Sequence, residues 1–112
     1  MLQFSQRSEG EVTVLSLAGR LDAITAPEIR PAIEELVEHR RGKVLIELST
    51  LTMIDSSGVG AIVSLFKRLR AHSGDVKLSG LRGQPKEIFH LLRLDQVFDV
   101  YPTLDEALQR WR

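Results

Sequence analysis

An acid and two adjacent hydroxyls, Asp55, Ser56 and Ser57, stand where an apolar run ends and a helical pattern begins, and Gly58 and Gly60 follow them closely. Three chemistries suit these residue types. A carboxylate at a strand end can accept a phosphoryl group, a serine can act as a nucleophile, and a serine at the exposed start of a helix can be the substrate of a separate kinase. The simplest alternative is structural, because each of the three polar residues is a good N-cap for the helix that follows.

The capping interpretation accounts for one of the polar residues and for neither glycine. Glycine in place of alanine costs a helix interior up to about 1 kcal/mol, and less in the first turn. Glycines here also permit close backbone approach by something from outside. The hypothesis that one serine is a kinase substrate accounts for the acid, both hydroxyls and both glycines. The helix N-terminus tolerates the charge of about −1.5 to −2 that phosphorylation adds, whereas a protein docked on the same surface tolerates it less.

The other chemistries lack residues that they need. A dinucleotide-binding G-x-G-x-x-G run would place its third glycine at position 63, which is valine, and no phosphate-binding G-x-x-x-x-G-K-[ST] run is present. A receiver-type phosphoaspartate at Asp55 needs further carboxylates for Mg²⁺, and only Asp22 is a plausible second acid. A hydrolase serine needs a G-x-S-x-G elbow, which is missing. The three histidines show no close pairing, so no catalytic residue, metal ligand or cofactor is predicted.

Length and composition predict one domain over residues 1–112. Fifteen Lys and Arg balance fifteen Asp and Glu, which argues against a dedicated nucleic-acid-binding protein. Cysteine is absent from the sequence, which excludes disulfides and thiolate metal sites. The N-terminus has no signal-peptide pattern and no apolar run is long enough to span a bilayer, so a cytoplasmic protein is expected.

Hydrophobic periodicity and turn residues predict the elements that must carry the motif. The chain begins with a predicted hairpin: a strand at Leu2 and Phe4, a turn at residues 7–10 and a strand over 12–17. A loop over 20–25 leads to a helix that a Thr25–Glu28 capping box opens and Gly42 stops. A strand over 44–48 then precedes the motif. After it come the motif helix, stopped at Gly74, a strand over 76–81, a helix begun at Pro85, a strand over 96–101, and a helix opened by a Thr103–Glu106 capping box.

The order ββαβαβαβα predicts an α/β fold with a mixed sheet, in which a leading hairpin precedes a mostly parallel core. Ligands and partners meet such a sheet at the loops after the carboxyl ends of its strands. The D-S-S-G stretch lies in one of those loops, so the predicted fold puts the motif where binding is expected.

Three segments resemble, in chain order, the STAS domain, and in particular bacterial anti-sigma factor antagonists: GRLDAITAPEI, VLIELSTLTMIDSSGVGAIV and LSGLRGQPKEIFHLLRLDQVFDVYPTLDEAL. The resemblance covers essentially the whole chain, and D-S-S-G is its most specific part. Glu47 stands where family members commonly carry Asp, a departure outside the motif. The resemblance implies a STAS-like mixed sheet with the helices packed mainly on one side.

The resemblance also implies a regulatory binding protein that is not an enzyme. The unphosphorylated antagonist is expected to bind an anti-sigma factor, itself a serine kinase of the histidine-kinase-ATPase fold, and so to free a sigma factor. That kinase is expected to phosphorylate the second serine, Ser57, with Ser56 as the alternative acceptor, and a PP2C-type serine phosphatase to reverse the reaction. The alternative functions are those of other STAS domains, in stressosome-type signalling or beside a lipid-transport ATPase.

The residues expected to bind the partner lie in the loop before the first helix and in the D-S-S-G stretch: Asp22, Thr25, Asp55, Ser56, Ser57, Gly58, Val59 and Gly60. Of these, Asp22 and Asp55 are expected to position the loop, and Gly58 to allow a tight start to the helix. A weak homodimer is a further expectation. Binding to nucleic acid and insertion into a membrane are not expected.

Overall fold

A five-stranded mixed sheet carries four α-helices in the computed structural model, which describes residues 1–39 and 41–111. The elements are β1 Leu2–Glu9, β2 Val12–Leu21, α1 Ala26–Glu38, β3 Lys43–Ile54, α2 Ser56–Arg70, β4 Asp75–Ser79, α3 Gly83–Leu91, β5 Asp99–Tyr101 and α4 Leu104–Gln109. A 3₁₀ turn at Leu94–Gln96 precedes β5. The observed order confirms the predicted ββαβαβαβα. No helix in the described part of the chain is both long and apolar enough to cross a membrane.

The strands lie in the sheet in the order in which they occur in the chain. β1 and β2 are antiparallel, and each of the other neighbouring pairs is parallel. This confirms the leading hairpin and the mostly parallel core. The turn is later than the predicted residues 7–10, because β1 continues to Glu9 and Gly10 turns the chain with φ 63°. Parallel strands end at one edge of the sheet, so the loops after β2, β3 and β4 are neighbours.

Three of the helices pack on one face of the sheet. Ile29 of α1, Ile62 of α2 and Phe89 of α3 share one hydrophobic core with the inward side chains of the strands. The short α4 packs on the opposite face, where its Leu108 meets Val14 in a smaller cluster. Since successive side chains of a strand point to opposite faces, β2 and β3 contribute to both clusters. The helices therefore pack mainly on one side, as expected.

β3 is much longer than the predicted strand over residues 44–48. It pairs with β2 as far as Ile54, but with β4 only over residues 43–47, so residues 48–54 extend beyond β4. The polar residues that obscured this extension in the sequence bond to the neighbouring strand. Thr50 Oγ1 donates to the Leu17 carbonyl at 3.3 Å and Thr52 Oγ1 to the Gly19 carbonyl at 2.9 Å. The motif therefore begins at the end of this extension.

Other predicted boundaries were wrong by a few residues. α2 ends at Arg70 rather than at Gly74, whose amide instead donates to the Leu69 carbonyl at 2.8 Å and closes the final turn. β4 stops at Ser79, because Gly80 turns away with φ 76°. Of the strand predicted over residues 96–101, only residues 99–101 are extended.

Candidate functional site

The loop after β2 and the start of α2 meet at the carboxyl edge of the sheet. Leu21 pairs with Ile54 at the ends of β2 and β3, and the Asp55 amide donates to the Leu21 carbonyl at 3.2 Å. Asp22 and Asp55 therefore follow directly from paired strand ends. The structure brings together the two sequence segments that were predicted to form one site.

Asp55 is the N-cap of α2. Its Oδ1 accepts hydrogen bonds from the amides of Ser57 at 2.9 Å and Gly58 at 3.1 Å, which are first-turn donors with no partner inside the helix. Its Oδ2 accepts from the Ala23 amide at 3.1 Å. The carboxylate thus starts the helix and ties it to the neighbouring loop. The capping interpretation is confirmed for Asp55 alone, and it leaves the serine side chains unexplained.

Asp22 forms hydrogen bonds within the same loop that Asp55 contacts through the Ala23 amide. Its Oδ1 accepts from the amides of Ile24 and Thr25, both at 3.0 Å. The amide hydrogen bond from Thr25 is the main cause that lowers the pKa of the Asp22 carboxyl below its ordinary value, with the Thr25 hydroxyl and Arg20 adding to it and desolvation opposing it. Asp22 therefore stays ionised near neutral pH, and the site carries two carboxylates.

The predicted Thr25–Glu28 capping box is wrong. Thr25 is the N-cap residue of α1, but its side chain makes no cap hydrogen bond. Its Oγ1 instead donates to the Arg20 carbonyl at 2.8 Å and accepts from the Asp22 amide at 2.9 Å. The hydroxyl is used within the loop because that loop turns sharply between β2 and α1. The second predicted cap is confirmed, since Thr103 Oγ1 accepts from the Glu106 amide at 3.2 Å.

The two glycines of the motif serve different purposes. A Cβ on Gly58 would lie 2.5 Å from the Leu21 carbonyl oxygen and 2.7 Å from Ile54 Cγ1, so the helix can approach both strand ends only with glycine there. A Cβ on Gly60 would have nothing within 4 Å. Gly58 thus allows a tight start to the helix, as expected, but the backbone that it admits is the chain's own and does not come from outside. Gly60 opens the surface instead.

The eight residues expected to bind a partner divide by exposure. Ser56, Ser57 and Gly60 are exposed, and Asp22 and Asp55 are half-buried. The expectation of surface contact is corrected for Thr25, Gly58 and Val59, which are buried because they hold the loop and the helix start against the strand ends. Within residues 1–39 and 41–111, neither serine hydroxyl has a side-chain hydrogen bond. Both residues are accessible from solvent.

An open groove runs between α1 and α2, with a volume of about 410 Å³. Ser57, Gly60, Ala61 and Ser64 of α2 line one side, whereas Ser56 does not line the groove. Toward the C-terminal end of α2, Arg68 makes a two-pronged ion pair with Glu34 of α1, at 2.6 and 2.8 Å. This pairing lowers the pKa of Glu34 and raises the pKa of Arg68. Of the two motif serines, Ser57 is thus the one that lines the groove, at the end away from this ion pair.

Two residues of the site were missed by the sequence reasoning. Ile24 is 83% exposed in the loop beside Ser57, where its apolar side chain is open to contact by another protein. Gln84 of α3 bonds both backbone groups of Ile54, since its Oε1 accepts from the amide at 2.9 Å and its Nε2 donates to the carbonyl at 2.8 Å. An apolar residue at the tip of a loop could have been noticed. Gln84 carried no signal, because it lies 30 residues from the strand that it completes.

The site contains few groups that could do chemistry of their own. In the part of the chain that the structure describes, no three His, Asp or Glu side chains form a group that could hold a metal ion. Asp55, the candidate phosphoaspartate, has both carboxylate oxygens bonded to backbone amides. The arrangement is suited to presenting a hydroxyl to another protein.

Comparisons with known proteins agree with this geometry. The STAS domain profile matches residues 3–107. The anti-sigma-F factor antagonist RsfB of Mycobacterium tuberculosis is 30% identical over 99 residues, covering 87% of this chain and 79% of that protein. An anti-sigma factor antagonist structure from Mycobacterium paratuberculosis is 27% identical with a TM-score of 0.90, over 98% of this chain and 93% of that chain. Bacillus SpoIIAA in its phosphorylated form is 25% identical with a TM-score of 0.80, over 98% and 100% of the two chains. The chain belongs to the STAS domain family.

Proposed function

We propose that this protein is an anti-sigma factor antagonist whose binding is switched off by phosphorylation of Ser57. The unphosphorylated form binds an anti-sigma factor that is also a serine kinase of the histidine-kinase-ATPase fold, and a PP2C-type phosphatase restores that form. The protein is a regulatory binding protein and not an enzyme. The observation that carries the proposal is an exposed Ser57 hydroxyl at the start of α2, on the groove and beside the Asp22 loop.

The local fold is suited to survive phosphorylation. Asp55 already caps the first-turn amides, so a phosphate on the Ser57 side chain leaves the helix start intact. The positive end of the helix dipole stabilises an anion there by about 0.3–1 kcal/mol at an exposed site. We therefore expect the modified chain to keep its fold.

The same charge is unfavourable for a docked protein. Phosphorylation adds about −1.5 to −2 charge beside two carboxylates, Asp22 and Asp55. Moving a complex from almost fully bound to almost fully released needs a change of about 5.5 kcal/mol in binding free energy. Like charges forced together across an interface can contribute several kcal/mol of that, and the added bulk over the open surface at Gly60 contributes sterically.

The names of two relatives support this interpretation. RsfB is an anti-sigma-F factor antagonist, and SpoIIAA is a relative whose phosphorylated form has a solved structure. The choice of Ser57 over Ser56 is supported by the groove, which Ser57 lines. The exposed Ile24 in the neighbouring loop offers the partner an apolar contact.

The test uses tagged wild type, Ser57→Ala and Ser57→Asp to capture the partner from a lysate of the source organism. Mass spectrometry then identifies the captured protein. The captured kinase is then purified and its affinity for each variant is measured by calorimetry. We expect wild type and Ser57→Ala to bind alike, and Ser57→Asp to bind at least about a hundredfold more weakly, since a like-charge contact costs several kcal/mol.

Phosphorylation of the purified proteins by the captured kinase completes the test. Ser56→Ala should be phosphorylated and Ser57→Ala should not, and the phosphate should be stable in acid, unlike an acyl phosphate on Asp55. A Ser57→Asp protein that keeps full affinity would contradict the proposal. So would capture of a stressosome or lipid-transport component in place of an anti-sigma factor.

A further inference from the structure

A second cleft lies where β4 and β5 end and α3 begins. Its volume is about 470 Å³, and it shares no described lining residue with the groove at Ser57. Cavities that hold small molecules measure about 300–1,000 Å³. The cleft also lies beyond the carboxyl ends of strands, where α/β sheets bind their ligands. Its size and its position are those of a small-molecule site.

Most of the wall of this cleft is apolar. The apolar and aromatic lining residues are Leu81, Phe89, Val100, Tyr101 and Pro102. Phe89 is fully buried in the main core, so this part of the wall is supported by packed side chains. An apolar wall on a rigid support favours a ligand with an aromatic or aliphatic body.

Two cationic side chains, Arg82 and Lys86, also line the cleft. Arg82 is the N-cap residue of α3 and Lys86 lies in the first turns of that helix. Arg82 Nε donates to the Ser49 carbonyl at 2.9 Å, which orients the guanidinium group. Within residues 1–39 and 41–111, neither side chain forms an ion pair. Their charges are therefore available to a ligand.

The carboxylates near the cleft are already engaged. Asp95 lines the cleft, but its Oδ2 lies 2.9 Å from His90 Nδ1. Glu47 lies against Gly80 and accepts hydrogen bonds from the Ser49 amide at 3.0 Å and the Ser49 hydroxyl at 2.9 Å. The lining of the cleft thus combines an apolar wall with two cationic side chains that form no ion pair in the described part of the chain.

We infer that this cleft binds an amphipathic organic anion: an aromatic or acyl body with one carboxylate, sulfonate or phosphate group. The body packs against Leu81 and Tyr101, which are partly exposed, and the anionic group pairs with Arg82 and Lys86. The guanidinium can contact two oxygens of the anion at once, whereas the ammonium acts as a point charge. This inference is independent of what Ser57 does.

The probe for the test is 8-anilinonaphthalene-1-sulfonate, whose fluorescence rises in apolar surroundings. We expect saturable binding at one site in the folded protein. The variants Arg82→Ala and Lys86→Glu should each weaken it by about tenfold or more, because each removes a charge-assisted contact. The dye N-phenyl-1-naphthylamine has the same aromatic body without the sulfonate, and it should bind at least about tenfold more weakly for the same reason.

The matched control is Lys67→Glu, which makes the same charge change at an exposed lysine of α2 that lines neither cavity. It should leave the affinity for the sulfonate unchanged, and thermal melting should show that every variant is folded. Amide chemical shifts should move at Leu81 and Val100. Absence of saturable binding, equal affinity for the two dyes, or equal losses in Lys67→Glu and Lys86→Glu would overturn the inference.

Discussion

The Asp55 carboxylate accepts a hydrogen bond from the Ala23 amide at 3.1 Å, across 32 residues of sequence. The other oxygen of that carboxylate caps α2. One side chain therefore sets both the start of the helix that bears Ser57 and the position of the loop beside it. The motif acid is a structural link between the loop after β2 and the start of α2.

Asp55 variants should separate these two bonds. Asp55→Ala removes both and should lower the free energy of unfolding by about 2 kcal/mol, whereas Asp55→Asn can keep the cap through its one oxygen and should cost about 1 kcal/mol. Hydrogen exchange distinguishes them further. The Ala23 amide should exchange faster in both variants, and the Ser57 amide in Asp55→Ala alone. Equal exchange at Ala23 in wild type and Asp55→Ala would refute the link.

The two glycines provide a matched pair of substitutions. Gly58→Ala forces a methyl group against the Leu21 carbonyl and the Ile54 side chain, and should destabilise the fold by about 1–3 kcal/mol. Gly60→Ala meets open space inside a helix, and should stabilise it by about 0.4–1 kcal/mol. Urea unfolding curves measure both. Similar changes of the same sign at the two positions would show that a methyl group at position 58 does not collide with the strand ends.

Gln84 should act as a positioning residue for the motif. Gln84→Ala leaves the Ile54 amide and carbonyl without these partners and should cost about 1–3 kcal/mol. The Ile54 amide should then exchange at least tenfold faster, ahead of amides elsewhere in β3. Gln84→Glu keeps an acceptor for that amide and loses the donor, so its Ile54 exchange should stay close to wild type. A uniform loss of protection across β3 in Gln84→Ala would indicate a general packing defect instead.

The pH dependence of the loop follows from Asp22. Its pKa in the folded protein is below the ordinary value of 3.8, so the folded state favours the carboxylate. The stability that it contributes is fully present above pH 3.8 and is lost as the pH falls through the lower, folded pKa. A carbon-detected NMR titration should find the Asp22 midpoint below 3.8, and Asp22→Asn should flatten this part of the stability profile. A midpoint at or above that value would contradict the hydrogen bonding described for the loop.

Ile24 should matter for binding and not for folding. Its side chain is 83% exposed, so Ile24→Ala should change the free energy of unfolding by less than about 0.5 kcal/mol. In the proposed complex it should weaken binding of the anti-sigma factor by about tenfold, as expected for loss of an apolar contact near the centre of an interface. The exposed apolar Leu91, in α3, provides the matched control, and Leu91→Ala should bind normally. Calorimetry against the captured kinase measures both.

Much of this architecture was accessible from the sequence, because its signals are local. The alternation at Leu2 and Phe4, the helical spacing after Val59 and the Asp55 cap all depend on residues a few positions apart. The wrong predictions arose where a group outside the local pattern takes the hydrogen bond that the pattern suggests. Thr25 has the spacing of a capping box, yet the Arg20 carbonyl takes its hydroxyl.

The length of β3 could not be predicted for the same reason. Its second half is polar at Ser49, Thr50 and Thr52, and it is held by a neighbouring strand and by a glutamine from a later helix. Periodicity within one segment does not report such partners. The D-S-S-G motif could be found from its composition, whereas the residue that fixes the strand leading into it could not.

The length of β4 and the residue at position 84 should vary together among homologous chains. Residues 48–54 have no partner on β4, and a glutamine amide takes the place of one missing main-chain rung at Ile54. A homologue with a longer fourth strand would pair that peptide directly and would be under no pressure to retain an amide at position 84. Homologues with an equally short fourth strand should keep glutamine or an equivalent hydrogen-bonding group there.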